Sequence, residues 1–444
     1  MAEKLVGIIS LGCAKNLVDT EVMLGLLQRA GYHITSEAFR AQILIVNTCG
    51  FIDPAKEESI ETLLEMAEYK KRGNCEILLA AGCLSQGHGE ELVKEISELD
   101  GVVGTGCFHK IVEVLSEALE GKRPVCVDTP HFLYDHTFPR VLSTPPYTAY
   151  VKIAEGCSHR CSFCVIPKLR GRYRSREPVS VAREVQSLAE NGVKEINLIA
   201  QDTTGYGRDI HPGKVSLSLL LEELVTIAGI QWIRVLYGYP GGITGELMGV
   251  MSREEKVCSY LDLPLQHAHQ DILVKMRRPF RKAKIKQLVE KLRERIPGIV
   301  LRSSFMVGFP GEKEEHFREL YSFLEEIRFD RAGFFSYSPQ ENTPSALMEN
   351  QVPEEIKEER FLSLMELQKK ISLEKNKNLL GDRLEVLIEG QVPNRKNYYT
   401  GRYAGQAPEV DGAVYVKSHF PLRAGEIVQV KITAAGAYDL QGRA

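Results

Sequence analysis

Short apolar runs alternate with amphipathic stretches along most of this chain, and that alternation most limits the folds open to it. In residues 1–128 the runs predict three strands separated by helices. A strand–helix–strand rhythm of this kind favours an open parallel sheet with helices on both faces. The predicted strands cover residues 6–10, 43–47 and 76–81, and the predicted helices cover 17–30, 53–72 (with Asp53 as N-cap) and 89–99.

The rhythm restarts after residues 129–147, a stretch rich in Pro, Thr and His that we interpret as a linker. Six βα units in about 190 residues predict a partial (βα)6 TIM-like barrel, whose lateral opening suits a macromolecular substrate. A long charged helix is predicted over 353–379, and the short runs of 382–444 predict a small antiparallel β barrel. The six strands are predicted at 149–154, 195–200, 232–237, 260–263, 300–307 and 332–337, with helices at 179–191, 284–296 and 314–327.

Length and composition point to a multidomain α/β protein. A chain of 444 residues exceeds what one core organises, so three domains are expected, at 1–128, 143–373 and 376–444. Neither a signal peptide nor an apolar run of membrane-spanning length is evident, which predicts a soluble, cytoplasmic protein without a membrane partner. Residues 1–128 carry a net charge of −8, whereas residues 129–375 and 376–444 carry only +3 and +2. This distribution argues against tight, non-specific RNA binding.

Three of the ten cysteines lie in one short loop, EGCSHRCSFC, directly after the first predicted barrel strand. The spacing of Cys157, Cys161 and Cys164 allows the loop to wrap three corners of an iron–sulfur cluster. A structural zinc site is the alternative, but it needs four ligands, and His159 would strain the loop as the fourth. Three cysteine ligands leave one iron open, which is typical of a reactive centre.

A second set of three cysteines follows the ends of the first three predicted strands. The carboxyl ends of parallel strands lie at one edge of a sheet, so Cys13, Cys49 and Cys83 should converge there. The alternative is three buried thiols. The remaining cysteines, Cys75, Cys107, Cys126 and Cys258, are interpreted as ordinary thiols.

The three-cysteine loop resembles that of the radical S-adenosylmethionine superfamily, and the second triple beside it resembles the methylthiotransferase family. The resemblance covers essentially the whole chain, including a terminal domain similar to the TRAM β barrel. It implies two 4Fe–4S clusters: a radical cluster on Cys157, Cys161 and Cys164, and an auxiliary one on Cys13, Cys49 and Cys83. It also implies two S-adenosylmethionine molecules, one methylating a sulfur on the auxiliary cluster and one cleaved to a radical. Further family-like strings are LIAQDTTGYG (198–207), DLPLQH (262–267), RSSFMVGFPGE (302–312) and YSPQENTPSA (337–346).

The strings LGCAKNLVDTE (11–21) and APEVDG (407–412) resemble the branch of that family that modifies a ribosomal protein. This implies attack on the β-carbon of an aspartate in small-subunit ribosomal protein S12, with electron and sulfur donors that the sequence does not name. Two alternatives stay open. One is methylthiolation of a tRNA adenosine at C2, and the other is a non-catalytic iron–sulfur protein that binds RNA or acts as a scaffold.

Two further groups of residues are candidates for ligand contacts. The resemblance implies that Phe163 flanks the cofactor adenine, with plain packing as the alternative. Gln201, Gly308 and Gly311 follow predicted strands, where they could contact or approach the cofactor. Four arginines at alternate positions are predicted to recognise an acidic protein substrate or RNA, or to form a solvated surface loop. They are Arg170, Arg172, Arg174 and Arg176.

Overall fold

A computed structural model describes residues 4–211 and 213–444. Its first domain is a six-stranded parallel sheet with the strand order β2-β1-β3-β4-β5-β6. The two central strands are buried at every position, as expected for apolar runs covered on both faces. The strands are β1 (Leu5–Ser10), β2 (His33–Ile34), β3 (Ile43–Thr48), β4 (Ile77–Gly82), β5 (Gly101–Gly104) and β6 (Val125–Cys126). The helices are α1 (Ala14–Arg29), α2 (Asp53–Ala67), α3 (Tyr69–Arg72), α4 (Cys83–Glu95) and α5 (Ile111–Leu119).

Two helices of this domain begin earlier than the sequence predicted. Helix α1 starts directly after Cys13, and α4 starts at Cys83 and contains a kink at His88. The prediction of Asp53 as an N-cap was wrong, because it is the first helical residue and its side chain makes no cap hydrogen bond. Its carboxylate instead accepts hydrogen bonds from Ser338 Oγ (2.7 Å) and Gln340 Nε2 (3.2 Å), so tertiary partners replace the local one.

The second domain contains the six predicted βα strands as one parallel sheet, ordered β14-β13-β12-β11-β10-β7. A separate two-stranded antiparallel sheet pairs β8 (Ala154–Glu155) with β9 (Arg174–Ser175). The large sheet consists of β7 (Thr148–Lys152), β10 (Glu195–Ile199), β11 (Trp232–Val235), β12 (Val257–Asp262), β13 (Val300–Val307) and β14 (Arg331–Ser336). The helices are α6 (Ile166–Arg170), α7 (Pro178–Glu190), α8 (Leu217–Leu224), α9 (Gly245–Arg253), α10 (Gln270–Lys275), α11 (Lys282–Arg295), α12 (Glu314–Ile327) and α13 (Glu354–Lys377).

Alternate residues of this sheet point to two very different environments. One set, including Val151, Leu198 and Leu261, belongs to the main apolar core together with residues of the surrounding helices. The neighbouring positions in the same strands include Lys152, Asn197 and Asp262, which are buried polar or charged residues. The period of two in a strand separates the sets, so the sheet has an apolar outer face and an inner face on which buried polar residues lie among apolar ones such as Ile199 and Trp232.

The third domain is a closed five-stranded barrel with the order β15-β16-β17-β19-β18. The sequence predicted only antiparallel pairing, and four of the five pairings are antiparallel, but β17 and β19 run parallel. Strand directions cannot alternate all the way round a ring with an odd number of strands, so one parallel pair is unavoidable. The strands are β15 (Arg383–Gln391), β16 (Tyr398–Tyr403), β17 (Val414–Lys417), β18 (Ile427–Ala435) and β19 (Leu440–Arg443).

The first and third domains pack on opposite ends of the partial barrel. Asp19 of α1 pairs with Lys152, the last residue of β7. The third domain contacts the amino ends, where Arg402 Nη2 lies 2.7 Å from Glu195 Oε2. The predicted linker, which has neither helix nor strand, is also packed in place, since Arg140 pairs with buried carboxylates of the first and second domains. The domain boundaries themselves stay predictions.

None of the described helices is long and apolar enough to cross a membrane.

Candidate functional site

The three-cysteine loop closes on itself at its base. Gly156 has φ +78°, and a Cβ there would lie 2.2 Å from the carbonyl oxygen of Arg172, so only glycine fits this close approach. Next to it, the amide of Cys157 donates to the carbonyl of Gly171 (3.1 Å). Ser162, between the second and third cysteines, donates from its amide to the carbonyl of Met276 (3.1 Å). The loop is therefore held at both its base and its middle.

The surroundings of this loop leave its cysteines as the metal donors. His159, the alternative zinc ligand, lies 2.7 Å from Asp202 Oδ2 through Nε2 and stacks on Tyr239 with ring centroids 3.8 Å apart. The Arg278 guanidinium approaches Cys161 Sγ to 3.8 Å, which suits a sulfur carrying negative charge. Burial raises the pKa of Cys157 to about 11 and that of Cys164 to about 12, so thiolates here need a cation.

The second cysteine triple assembles at the carboxyl edge of the first sheet, as the strand pattern predicted. Gly12 has φ +83°, and a Cβ there would lie 2.9 Å from Cys49 Sγ. This close approach brings the strand end that carries Cys13 next to Cys49. Burial raises the pKa of Cys83 to about 11, with Cys13 and Cys49 close enough to add to the effect. The three thiols therefore lie within electrostatic range of one another.

The two triples adjoin across the boundary between the first two domains. Cys83 of the second triple packs against Val165 and Leu169, and Val165 directly follows Cys164 of the loop. Arg170 Nε also donates to Cys83 Sγ (3.3 Å). Both donor sets thus lie beside the same short helix α6, and a reactant between them would be within reach of both.

A buried ionic network surrounds that junction, and the sequence analysis missed most of it. Arg170 Nη1 lies 2.5 Å from Asp19 Oδ2 and 3.3 Å from Glu155 Oε2, and Lys152 pairs with the same two carboxylates. Burial opposes ionisation of Glu155, but Lys152 and Arg170 outweigh it and hold its pKa below the usual range. The feature of the sequence that could have revealed the network is a charged residue inside an otherwise apolar strand, as at Lys152. Gln201 Nε2 donates to Glu155 Oε1 (2.7 Å), which ties the end of β10 to this network.

The four alternate arginines do not form one surface. Arg170 and Arg176 are each only 2% exposed, so the alternative of a solvated surface loop is wrong for these two residues, and a role in substrate recognition stays a prediction. Arg176 Nη1 lies 2.5 Å from Glu184 Oε2, and its guanidinium covers the ring of Tyr134. Buried carboxylates draw these two side chains inward, because burying a charge requires a partner. Arg172 is exposed and Arg174 partly so.

The four predicted cofactor contacts lie near the loop, and their roles stay predictions. Phe163 is half-buried and packs against an apolar cluster. Gln201 Oε1 is buried and has no hydrogen-bond partner among the described residues, which suits a ligand contact. Gly308 and Gly311 both have positive φ, but the atoms nearest their Cβ positions belong to lysine side chains.

The cysteines outside the two triples are not all isolated. Cys107 and Cys126, both interpreted as ordinary thiols, follow β5 and end β6, and their sulfurs lie within 4.8 Å of each other and of an Asp128 oxygen. Cys75 and Cys258 are buried singly. Every strand of the first sheet except β2 therefore ends at or near a cysteine.

The donor chemistry of both triples fits iron–sulfur clusters. Thiolates are the ligands of such clusters, and each triple supplies three. Cationic side chains lie beside each triple, Arg278 at the loop and Arg170 at the strand ends. The unpartnered Gln201 Oε1 leaves a polar group for an organic cofactor near the loop.

Three family models match this chain in order. The uncharacterized protein family UPF0004 matches residues 5–104, the radical SAM superfamily 151–324 and the TRAM domain 380–444. The solved structure of the radical S-adenosylmethionine methyltransferase TsrM from Kitasatospora setae superposes with a TM-score of 0.57 at 16% identity, covering 89% of this chain and 78% of that one. The structure of the cobalamin-dependent S-adenosylmethionine radical enzyme OxsB superposes with a TM-score of 0.51 at 11% identity, covering 82% of this chain and 56% of that one. The fold and the matched family models together define a multidomain α/β protein with a radical SAM domain and a terminal TRAM domain.

Curated relatives narrow the class further. The ribosomal protein uS12 methylthiotransferase RimO of Desulforamulus reducens is 52% identical, over 98% of both chains. The RimO of Heliobacterium modesticaldum is 52% identical over 98% of this chain and 94% of its own length. The RimO of Clostridioides difficile is 48% identical over 98% of this chain and 97% of its own length. The chain belongs to the family of ribosomal protein uS12 methylthiotransferases.

Proposed function

We propose that this chain is a cytoplasmic enzyme that adds a methylthio group to the β-carbon of an aspartate in ribosomal protein uS12. Cys157, Cys161 and Cys164 hold one 4Fe–4S cluster, and the other triple, at Cys13, Cys49 and Cys83, holds the second. One observation carries the proposal: Cys83 packs against Val165, the residue after Cys164, so the two donor sets serve one reaction space. The relatives named for uS12 methylthiolation support the choice of substrate.

The bound groups would supply radical hydrogen abstraction and the methylthio unit, while the protein positions them and excludes water. Gln201 would bind S-adenosylmethionine through its Oε1, which is unpartnered among the described residues, since its amide nitrogen already donates to Glu155. Arg170 orients Cys83 by donating to its sulfur and joins the first domain to the barrel through Asp19. The network keeps both triples in one arrangement.

Mass spectrometry of ribosomal proteins from cells with and without this gene tests the proposal. Without the gene, uS12 alone should become lighter by one methylthio group in exchange for a hydrogen, and fragmentation should place the change on one aspartate. Expression of the Cys161→Ala variant in the deletion strain should leave uS12 unmodified, whereas wild-type expression should restore the mass. An unchanged uS12 mass after deletion would contradict the assignment.

The tRNA alternative has one observation in its favour. A cleft on the third domain is lined by Arg395, Lys417 and Arg443 together with Tyr398 and Tyr415, a combination typical of nucleic-acid surfaces. Nucleoside analysis of tRNA from the same two strains distinguishes the substrates, since loss of a methylthioadenosine would favour tRNA. Release of 5′-deoxyadenosine by the reduced holoenzyme would exclude the non-catalytic alternative.

A further inference from the structure

A pair of cysteines outside both triples lies at the carboxyl edge of the first sheet. Cys107 follows β5 and is fully buried, whereas Cys126 ends the neighbouring strand β6 and is partly exposed. Asp128 lies two residues after Cys126, and one of its carboxylate oxygens and the two sulfurs all lie within 4.8 Å of one another. Two sulfurs and an oxygen at such separations can all bind one metal ion.

The chain segments that carry these three side chains are held together by Gln86 of α4. Its Oε1 accepts a hydrogen bond from the amide of Gly106 (3.2 Å), and its Nε2 donates to the carbonyl of Asp128 (3.1 Å). A Cβ at Gly106 would lie 2.8 Å from that carbonyl oxygen, so the close approach of the two segments requires glycine. The metal donors are therefore brought together by the backbone, as a preorganised site needs.

The donor set favours a single thiophilic cation over a third iron–sulfur cluster. Each triple offers three thiols to its cluster, whereas this group has two, and no third cysteine among the described residues belongs to it. Thiolate sulfur and carboxylate oxygen are both ligands of Zn²⁺, which takes four of them in a tetrahedron. Mg²⁺ and Ca²⁺ prefer oxygen alone. Zinc is thus the ion that this group suits, with the fourth position left to water.

The charges of the group also suit a divalent cation. Two thiolates and the Asp128 carboxylate carry three negative charges, of which a Zn²⁺ ion would leave one unbalanced. The Lys110 ammonium lies 2.8 Å from Asp128 Oδ2 and supplies the remaining positive charge. The same oxygen also accepts a hydrogen bond from Cys107 Sγ (3.3 Å), and a bound cation would replace that proton.

We propose that Cys107, Cys126 and Asp128 bind one Zn²⁺ ion with a structural role. Binding converts both thiols to thiolates and releases two protons to solvent, while the carboxylate binds in its ionised form. The ion would link β6 to the turn after β5 and fix the start of the segment that leads to the second domain. That segment passes the cysteine loop, since a Cβ at Gly171 would lie 2.5 Å from the carbonyl oxygen of Pro130. The inference does not rest on the proposed function.

Zinc and iron analysis of the reduced, anaerobic holoenzyme tests the proposal. Protein with iron and sulfide already loaded on both triples is mixed with a slight excess of zinc sulfate, desalted and analysed for both metals. Wild type should retain about one Zn²⁺ per chain without losing iron. X-ray absorption at the zinc edge should show two sulfur neighbours at about 2.3 Å and oxygen neighbours at about 2.0 Å. Three sulfur neighbours would place the zinc in one of the triples and overturn the assignment.

Variants of the same holoenzyme identify the donors. Cys126→Ala should retain less than about a tenth of the wild-type zinc, since loss of a ligand costs at least as much affinity as loss of an outer-shell partner. Asp128→Asn changes only an exposed side chain, so it separates loss of a ligand from loss of structure, and its Kd for Zn²⁺ in competition with a chelator should rise at least about 10-fold. Cys75→Ala removes a buried cysteine of the same domain outside the group and should bind zinc like wild type.

Two further results would overturn the zinc site. One is a wild-type holoenzyme that keeps its iron but retains no zinc. The other is zinc binding as tight as that of wild type in both Cys126→Ala and Asp128→Asn. Neither measurement involves uS12, so a failure of the proposed function would leave the zinc assignment standing, and a failure of the zinc site would leave the function standing.

Discussion

The two cysteine triples reach the same reaction space by opposite structural routes. Cys157, Cys161 and Cys164 lie within eight consecutive positions of one loop. The other triple comes from three strand ends separated by more than thirty residues each. The first arrangement is local, and a short loop anchored at Ser162 and Gly156 maintains it. The second exists only when the sheet has formed.

Their electrostatic surroundings differ as well. Desolvation alone would raise the pKa of Cys13, but the charges of Lys15 and Arg170 outweigh it and lower the pKa. In the loop, Arg278 acts in the same direction without overcoming burial, and the pKa of Cys157 is raised to about 11. Cations thus prepare only Cys13 of the strand-end triple for metal binding, since burial raises the pKa of Cys49 and Cys83 as it does in the loop.

The largest expected effect is that replacing a cysteine in one triple or in the other should stop different steps of the reaction. Cys161→Ala should abolish both 5′-deoxyadenosine release and uS12 modification, because we propose that the loop holds the cluster that cleaves the cofactor. Cys49→Ala should abolish modification but keep cofactor cleavage. Each variant should retain about half of the wild-type iron when reconstituted, given one cubic cluster per triple. Cys75→Ala, a buried cysteine outside both triples, should behave like wild type. Equal loss of cleavage in both variants would contradict the division of roles.

Alkylation of the cluster-free protein tests the electrostatic comparison. With a lowered pKa and an exposed position, Cys13 should react first with iodoacetamide near pH 7.5. Cys83, with a pKa of about 11, should react about 100-fold faster at pH 9.5 than at pH 7.5, since its thiolate population rises tenfold per pH unit. Between the same two pH values, the alkylation rate of Cys13 should increase by a smaller factor, because its thiolate population saturates at lower pH. Peptide mapping of labelled sites measures both rates.

Arg170→Met tests whether the second triple depends on the neighbouring domain. Removing this guanidinium leaves Asp19 and Glu155 with Lys152 alone, and breaking a buried network costs about 3–5 kcal/mol of unfolding free energy. Because Glu155 has a lowered pKa in the folded state, its contribution is present near neutral pH and is lost as pH falls through the acidic range.

The iron content of Arg170→Met should fall mainly at the second triple, which loses the donor to Cys83. Arg172→Met is the matched control, because Arg172 is exposed and its replacement should change stability by less than about 0.5 kcal/mol. Thermal unfolding and iron analysis measure the two effects. Full iron retention in Arg170→Met would show that the triple assembles without the second domain's arginine.

The smallest expected effect is a loss of stability on replacing Gly308, which follows β13 in the wall of the barrel. Gly308→Ala places a methyl group 2.2 Å from Lys357 Cγ at φ +73°, so about 1–3 kcal/mol of stability should be lost. Gly121→Ala has a similar φ of +82° but no atom within 4 Å, and it isolates the backbone strain from the clash. If Gly308 also borders the cofactor, the KM for S-adenosylmethionine should rise in Gly308→Ala alone. An unchanged KM would assign Gly308 to packing against α13.

Sequence periodicity predicted the six barrel strands to within about three residues, and the three-part division, because each strand is a short apolar run with turn residues beside it. It failed where a polar side chain has a distant partner. The local sequence indicates that Asp53 is a helix cap, but its carboxylate accepts a hydrogen bond from Ser338. The local sequence also allows Arg176 to lie on the surface, but its side chain pairs with Glu184. Pair interactions between residues far apart in the chain leave no periodic trace.

The sequence by itself determined the barrel strands, the three cysteine-bearing strands of the first sheet (but not β2, β5 or β6), the cysteine loop and the position of the second triple at the strand ends. These follow from local patterning and from the geometry of parallel sheets. Only the tertiary structure decided that Cys83 lies against the loop, that Arg170 is buried between the domains, and that Lys15 lies over the ring of Tyr237. Those facts depend on how separately formed surfaces pack and on which buried charges are thereby paired.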